Sequence, residues 1–209
     1  MSVRGSEGPP EGTAWKPQIS GNAISWNGSA VVKDFGCRAE GYRREHALLG
    51  RLADRLAVPR PLRSSRPGSL HLPYVEGVNG QVLADADQPG PVLEELGAFL
   101  RRLHDIDARE FADILPGDGP VIVHGDYAHY NVLMTVDGAR LAAVLDWENA
   151  HLGGRVLDIA WCEWQFRSRY PRHEWAVRNL LTAYGDPPDR DSRERAVASR
   201  LSELARPPR

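Results

Sequence analysis

Three polar clusters interrupt the apolar segments in the middle of the chain. His124-Gly125-Asp126 follows a Val-Ile-Val segment, Asn131 precedes the next apolar segment, and Asp146-Trp147-Glu148 follows a third. Side chains at the ends of strands and in turns are held by a packed scaffold that can aim them into a cleft. Carboxylate and amide oxygens bind Mg²⁺, and a carboxylate can accept the proton of a hydroxyl group. Both abilities are needed for phosphoryl transfer.

Phosphoryl transfer also needs a cation for the nucleotide phosphates, and Lys33 is the candidate. Lys16 and Lys33 are the only lysines among the 26 Lys and Arg residues. Lys33 lies in Val31-Val32-Lys33-Asp34-Phe35, where the apolar neighbours favour an inward position over that of a solvated edge-strand lysine. Glu45 falls on the apolar face of the next helical segment, so its carboxylate is expected to point inward and pair with Lys33. The alternative for Glu45 is a charged side chain on the exposed surface of the helix.

Short strands are predicted for the first part of the chain. Asn27-Gly28 separates two β-prone segments and predicts a tight hairpin turn. Leucines at helical spacing predict a helix from Arg38 to about Ala57. A turn at Arg66-Pro67-Gly68 then predicts a strand over Leu70–Val75. We expect residues 14–76 to form an N-terminal lobe.

Helices dominate the remainder, and residues 77–209 are expected to form a second lobe. Apolar spacing predicts a helix with Pro91 at its first position and a later helix capped by Asp191. Asp137-Gly138 predicts a hairpin between two short strands. Residues 1–13, rich in Gly, Pro, Ser and Glu, are expected to form a flexible leader.

Composition argues against several classes of protein. The formal net charge is −2 without long charged segments, so we expect neither a nucleic-acid partner nor a membrane surface. No apolar stretch approaches the length of a membrane-spanning helix. Cys37 and Cys162 lie far apart without ligand-like spacing, and we expect reduced thiols in a cytoplasmic protein.

The segment HGDYAHYNVLM, followed by DWENAHLGGRVLDIAW, resembles the catalytic and metal loops of the aminoglycoside phosphotransferase and choline kinase-like family. The resemblance implies an α+β, two-lobed protein-kinase-like fold, with a small β-rich N-lobe and a larger, mostly helical C-lobe, both abbreviated. It also implies that Asp126 is the catalytic base and that Asn131 and Asp146 hold Mg²⁺. The triplet that begins at Asp146 replaces the Asp-Phe-Gly of protein kinases.

The resemblance extends to the nucleotide, which would be ATP or GTP. It implies that Lys33 contacts the α- and β-phosphates and that Glu45 is its helix partner. Tyr74 and Val75 would lie in the hinge whose backbone binds adenine, and Leu133 would pack near the base. His124 and Asp158 would brace the catalytic loop, and Glu148 would serve either a second metal or the local turn.

Two departures from the family pattern bear on activity. The phosphate-covering loop is reduced to Ile19-Ser20-Gly21-Asn22, and the region after Trp161 is short, so that a homodimer is one way to complete the acceptor site. Three tryptophans in this region suit either an aromatic cage for a quaternary amine or core packing, and core packing is favoured: Trp161, Trp164 and Trp175.

The expected partner is a small molecule that offers a hydroxyl group, as in an aminoglycoside-like antibiotic or a related metabolite. A polycationic acceptor calls for an acidic surface, yet residues 167–209 carry ten arginines against six acidic residues. Glu163 or Asp158 would have to supply the missing charge. The alternatives are a choline- or homoserine-type kinase and a nucleotide-binding pseudokinase.

Overall fold

A computed structural model describes residues 23–64, 66 and 68–206 of the protein. The strands are β1 Ala23–Trp26, β2 Val31–Asp34, β3 Ser69–Leu72, β4 Val78–Asn79, β5 Val121–Val123, β6 Val132–Met134, β7 Leu141–Val144 and β8 His151–Gly153. The helices are α1 Ala39–Leu52, α2 Gly80–Asp85, α3 Pro89–His104, α4 Val156–Arg169, α5 Val177–Tyr184 and α6 Arg190–Leu204. Short 3₁₀ helices lie at Ala108–Phe111, His129–Asn131 and Pro171–Ala176.

The first three strands form an antiparallel sheet with β2 in the centre. The predicted hairpin is present: Gly28 has a φ of 93°, and the Asn27 side chain accepts the backbone N–H groups of Ser29 and Ala30. Lys33 lies opposite Ile24 on β1 and Leu70 on β3. A central position between apolar neighbours explains why this lysine is buried.

Helix α1 packs one face against this sheet, and Glu45 lies on that buried face with Leu48, Leu49 and Leu52. The helix was expected to continue to about Ala57, but it ends at Leu52. The chain turns tightly after Leu52 instead, because the N–H of Arg55 donates to the carbonyl of Leu52 and the N–H of Val58 donates to the carbonyl of Leu56. The carbonyl of Ala57 accepts the N–H of Val144 on β7 in the second lobe.

The second lobe contains two small antiparallel sheets, ordered β4-β6-β7 and β5-β8. Strands β6 and β7 form the hairpin that Asp137-Gly138 predicts, and Gly138 has a φ of 70°. The 3₁₀ helix at His129–Asn131 leads directly into β6, and His124 follows the last residue of β5. These short strands therefore frame the polar clusters.

Helices α3, α4 and α5 each bury apolar side chains in the core of this lobe. Helix α3 comes so close to α5 that a Cβ atom on Gly97 would lie 2.2 Å from the carbonyl oxygen of Leu180. The proline prediction for α3 was wrong by two residues, because Pro89, which is buried, opens the helix instead of the exposed Pro91. One apolar core runs from Phe35 in the first lobe to Tyr184 in the second.

Helix α6 differs from the other helices because its one buried residue is an arginine, Arg193. The cap predicted at Asp191 was wrong: Asp189 caps the helix by accepting both the N–H and the hydroxyl of Ser192. The Arg193 guanidinium donates to Glu163 on α4 at 2.6 Å and also to the carbonyl of Pro188. Polar contacts therefore hold α6 in place.

Some expectations fall on residues outside the described ranges. They include the leader at residues 1–13 and the reduced phosphate loop at Ile19–Asn22. Within the described ranges, no helix has both the length and the apolar character required to cross a membrane. Cys37 and Cys162 are both free thiols, exposed and buried respectively.

Two buried histidines should make stability depend on pH. Burial lowers the pKa of His104 and of His129 from 6.5 to about 4. Neither ring nitrogen of His129 has a hydrogen-bond partner among the described residues. The unfolded chain therefore takes up these protons first, and each histidine contributes at most about 3 kcal/mol that is present above pH 6.5 and lost as the pH falls to about 4.

We expect His129→Phe to reduce the loss of unfolding free energy between pH 6.5 and pH 4, measured by urea titration at several pH values. His46→Gln is the control, because His46 is exposed on α1. A His129→Phe variant with the same pH dependence as the parent protein would contradict the assignment.

Candidate active site

Lys33 lies at the centre of a buried charge cluster that joins the two lobes. Its Nζ atom is 2.7 Å from Oε2 of Glu45 on α1 and 2.5 Å from Oδ1 of Asp146, which follows β7 after one residue. Glu148 is further away, with an oxygen at 3.6 Å, and the ring of Phe35 lies under the ammonium group at 4.9 Å. The ion pair predicted between Lys33 and Glu45 is therefore present.

Two opposing effects act on the ionisation of Lys33. Burial acts to lower the pKa of the ammonium group, but Glu45 and Asp146 together outweigh it and the net direction is upward. Glu45 is fully buried, which raises the pKa of its carboxyl, and Lys33 opposes that effect. The cluster thus keeps a full positive charge at the end of the site where nucleotide phosphates would need it.

Asp146 adopts a left-handed backbone conformation, with a φ of 65°. This region is costly for most residues and tolerated by Asp, Asn and Gly. The conformation turns the chain so that the N–H of Trp147 donates to Oε1 of Glu45 at 3.2 Å while the Trp147 ring is buried. Asp146 remains partly accessible, with 22% of its side chain exposed.

The segment from His124 to Asp126 is fixed by a buried carboxylate. Asp158, in the first turn of α4, accepts the N–H of His124 at 2.6 Å and the N–H of Gly125 at 3.0 Å. Gly125 has a φ of 85°, and a Cβ atom there would lie 2.4 Å from the carbonyl oxygen of Asn149. A glycine is therefore required before Asp126 for both conformational and steric reasons.

His124 connects this loop with the segment that carries Asp146. Its Nδ1 accepts the N–H of Asp126 at 3.2 Å, so Nε2 carries the proton and donates to the carbonyl of Leu145 at 2.9 Å. The N–H of Leu145 in turn donates to the carbonyl of Asn131 at 2.9 Å. Both backbone groups of Leu145 therefore hold Asp146 beside the loop of Asp126 and Asn131.

The carboxylate of Asp126 accepts hydrogen bonds from three side chains. Its Oδ1 accepts the Tyr130 hydroxyl at 2.9 Å and the Trp161 indole N–H at 3.1 Å, whereas Oδ2 accepts the Asn131 amide at 3.1 Å. Burial raises the pKa of the Tyr130 hydroxyl, and Asp126 raises it further, so Tyr130 remains a donor. Oδ2 therefore has more remaining capacity to accept a proton than Oδ1.

Asn131 and Asp146 have the chemistry that Mg²⁺ requires. The amide nitrogen of Asn131 donates to the backbone carbonyl and to the carboxylate of Asp126, which leaves its amide oxygen as the ligand atom. Oxygens of Glu45, Asp146 and Glu148 lie within 4.8 Å of one another. Such an excess of carboxylates around one lysine fits a small divalent cation with oxygen ligands.

The residues expected near the nucleotide base lie at the junction of the lobes. Tyr74 and Val75 are half-buried in the connection between β3 and β4, and the Tyr74 ring meets Trp26 edge-on at 6.1 Å. Gly77 brings this connection against β6, because a Cβ atom there would lie 3.5 Å from Cβ of Leu133. Leu133 on β6 therefore lies beside the end of the connection that carries Tyr74 and Val75.

Sequence reasoning missed two side chains that touch Asp126. Tyr130 lies inside the recognised motif, but nothing in its spacing indicated a contact with the base. Trp161 was interpreted as core packing, and although it is buried, its indole N–H is directed at Asp126. The position of Trp161 one turn after Asp158 was the available signal, because residues three apart share a helix face.

This fold and this arrangement of acids, amide and lysine define a phosphotransferase with a protein-kinase-like fold. The model of the phosphotransferase enzyme family matches residues 23–119 and 108–196. The chain therefore belongs to this family, and it is an enzyme that transfers phosphate to hydroxyl groups. No curated protein matches the sequence.

Solved structures share the fold at low sequence identity. Aminoglycoside phosphotransferase APH(3'')-Id from Streptomyces rimosus, in complex with ADP and streptomycin, is 17% identical with a TM-score of 0.67, covering 90% of this chain and 93% of that one. Macrolide 2'-phosphotransferase MphH from Brachybacterium faecium is 19% identical with a TM-score of 0.61, covering 84% and 76%. At this identity the likeness establishes the fold.

Asp158→Asn should destabilise the protein and loosen the catalytic loop. The asparagine oxygen can accept one of the two backbone N–H groups, and its NH₂ group would face the other. We expect the free energy of unfolding to fall by about 2–4 kcal/mol, measured by urea titration.

Asp186→Asn is the matched control, because Asp186 is exposed in the loop before α6 and its change should stay within about 0.5 kcal/mol. Equal stability of the Asp158→Asn and Asp186→Asn variants would show that the buried carboxylate does not hold the loop.

Proposed function

We propose that the protein moves the γ-phosphoryl group of ATP or GTP to a hydroxyl group of an aminoglycoside-like antibiotic or a related small metabolite. The observation that carries the proposal is the linkage of Asp126, Asn131, Asp146 and Lys33 through direct and backbone hydrogen bonds. A base, metal ligands and a phosphate-binding cation are the parts that phosphoryl transfer requires. A fold relative in complex with ADP and streptomycin supports a nucleotide donor.

In the proposed reaction Asp126 acts on the acceptor. Its Oδ2 accepts the hydroxyl proton while the acceptor oxygen forms a bond to the γ-phosphorus and the bond from that phosphorus to the β-phosphate oxygen breaks. The nucleoside diphosphate leaves. Tyr130 and Trp161 hold Oδ1, which orients the carboxylate with Oδ2 available.

The phosphate end of the site depends on Lys33. Glu45 and Asp146 take two of the three N–H donors of Lys33, which leaves one donor for the phosphates. Asn131 and Asp146 would hold Mg²⁺, which neutralises the charge that develops on the phosphate oxygens. Asp146 contacts Lys33 and Asn131 contacts Asp126, so a metal ion held by Asn131 and Asp146 would lie between the phosphate-binding cation and the base.

The two acidic residues that were candidates for binding a cationic acceptor are both engaged in other hydrogen bonds. Glu163 was a candidate for binding a cationic acceptor, but it accepts hydrogen bonds from Arg167 at 2.9 Å and Arg193 at 2.6 Å. Asp158, the other candidate, is buried and committed to the catalytic loop. Recognition of a polycation by these two acids is therefore disfavoured, and the proposed acceptor is recognised chiefly through its hydroxyl groups.

A choline-type activity loses the feature that suggested it. The Trp161 ring stacks with Trp164 at 4.9 Å between centroids, and the Arg200 guanidinium lies 4.0 Å from the Trp161 centroid. A ring already occupied by an aromatic neighbour and a cation is a poor wall for a quaternary amine. The panel below nevertheless includes choline.

Transfer from γ-labelled ATP and GTP with Mg²⁺ tests the proposal. The acceptor panel contains aminoglycosides, a macrolide, choline and homoserine. We expect labelled product with at least one hydroxylated antibiotic or metabolite. In Asp126→Asn, transfer should fall by about 10²–10⁴-fold with nucleotide affinity nearly unchanged, because the base acts on the acceptor.

A control variant for this experiment is Asp118→Asn, an exposed acid in the loop before β5, which should retain parental activity. Parental activity in Asp126→Asn would exclude Asp126 as the base. Nucleotide binding without transfer to any acceptor would favour the pseudokinase alternative.

Asp146→Asn should uncouple nucleotide binding from Mg²⁺. Asparagine tolerates the left-handed backbone conformation, so the fold is preserved while a metal ligand loses its charge. We expect the increase in nucleotide affinity on addition of Mg²⁺, measured by calorimetry, to disappear in this variant. An undiminished Mg²⁺ effect would assign the metal to other ligands.

A further inference from the structure

Arg200 on helix α6 reaches the catalytic loop. The Arg200 guanidinium donates to the carbonyl oxygen of Gly125 at 2.5 Å, across 75 residues of sequence. Gly125 directly precedes Asp126, and its N–H is held by Asp158. The carbonyl of Gly125 and the N–H of Asp126 belong to one peptide unit, and that N–H donates to Nδ1 of His124. Arg200 therefore fixes the second polar group of the peptide unit that leads into Asp126.

The same guanidinium also contacts Trp161, a side chain that donates to Asp126. It lies 4.0 Å from the centroid of the Trp161 ring, within the range of a cation–π contact. The N–H of that ring donates to Oδ1 of Asp126 at 3.1 Å. One cation thus contacts both the backbone before Asp126 and the ring that holds its carboxylate.

Arg200 is poorly explained by stability alone. Its Nε atom is buried and has no hydrogen-bond partner among the described residues, a condition that costs about 1–3 kcal/mol. A cavity of about 400 Å³ between α4 and α6 is lined by Trp161 and Arg200, so apolar packing does not hold the two side chains together from that side. A buried donor without a hydrogen-bond partner calls for an explanation other than stability.

We propose that Arg200 is a positioning residue for the catalytic base, and that α6 is thereby part of the active site. This inference rests on the proposed transfer reaction. Arg200 contacts no reacting atom; it fixes the Gly125 carbonyl and the Trp161 ring so that Oδ2 of Asp126 faces the acceptor hydroxyl. Loss of this support misdirects the base, and displacements near 1 Å cost up to about 10²-fold in rate.

The test compares steady-state kinetics of full-length variants, using the acceptor that the panel identifies. In Arg200→Met we expect kcat to fall about 10–100-fold with KM for the nucleotide unchanged. Arg200→Lys keeps a cation over the ring and should recover most of the loss. Arg195→Met is the matched control, because Arg195 lines the same cavity and donates to Ser192, away from the loop.

A second pair of variants keeps the proposal falsifiable if Arg200→Met does not fold, which its thermal melting curve reveals. Trp161→Phe keeps an aromatic ring but removes the N–H donor to Asp126, and we expect kcat to fall about tenfold. Trp164→Phe is its control, since Trp164 stacks on Trp161 on the same helix.

The outcomes distinguish failure of the positioning role of Arg200 from failure of the proposed transfer reaction. Transfer by the parent protein with kcat of Arg200→Met, or of Trp161→Phe, within twofold of its control overturns the positioning role alone. A parallel rise in the nucleotide KM would also overturn it, because the defect would then lie at the phosphate end. No transfer by the parent protein overturns the proposed function and this inference with it.

Discussion

Lys33 stands between Glu45 and Asp146, so a single ammonium group ties the N-terminal sheet and its helix to the chain that follows β7. Taking such charges out of water costs several kcal/mol for each ion, and only close, hydrogen-bonded pairing recovers that cost. Any movement of the lobes that separates the pairs would leave a buried charge alone, at about 3–5 kcal/mol. The geometry of the nucleotide end is therefore restricted to arrangements that keep Lys33 in contact with both acids.

The acceptor end depends on a different means of support. Few of its contacts are between two charges; buried polar groups hold the backbone instead, as Asp158 does for two N–H groups and His124 for Asp126 and Leu145. Leu145 also links this loop to Asn131, because its own N–H donates to the Asn131 carbonyl. The two ends of the site are thus connected through one residue whose side chain takes no part.

Sequence alone predicted the parts of the site that are defined by short-range patterns. The lysine that follows two valines, the inward Glu45 and the loop from His124 to Asn131 each have a local signal, because burial or turn geometry acts within a few residues. The predictions that were wrong concern the ends of helices, which depend on contacts beyond the helix itself. Tight turns replace the expected last turn of helix α1, where the Ala57 carbonyl accepts the N–H of Val144 on β7. Asp189 replaces Asp191 as the cap of α6 because Ser192 donates to it twice.

Long-range contacts with no periodic signal were beyond such reasoning. Arg200 is one of many arginines in the last part of the chain, and its sequence neighbours give no indication that it meets Gly125. Trp161 is an aromatic residue of the kind that fills protein cores, and it is buried as such a residue would be. Its indole N–H, which donates to Asp126, is what separates it from a residue that only packs. Side-chain direction depends on the packing of α4 and is not encoded by residue type.

Helix α6 buries no apolar side chain, and Arg193 and Arg200 anchor it to the rest of the protein. An element held in this way can detach at a lower free energy than the leucine-rich core requires to unfold. On the positioning role inferred for Arg200, heat inactivation would precede melting: an enzyme warmed below its melting temperature would lose turnover while its far-ultraviolet circular dichroism changed little.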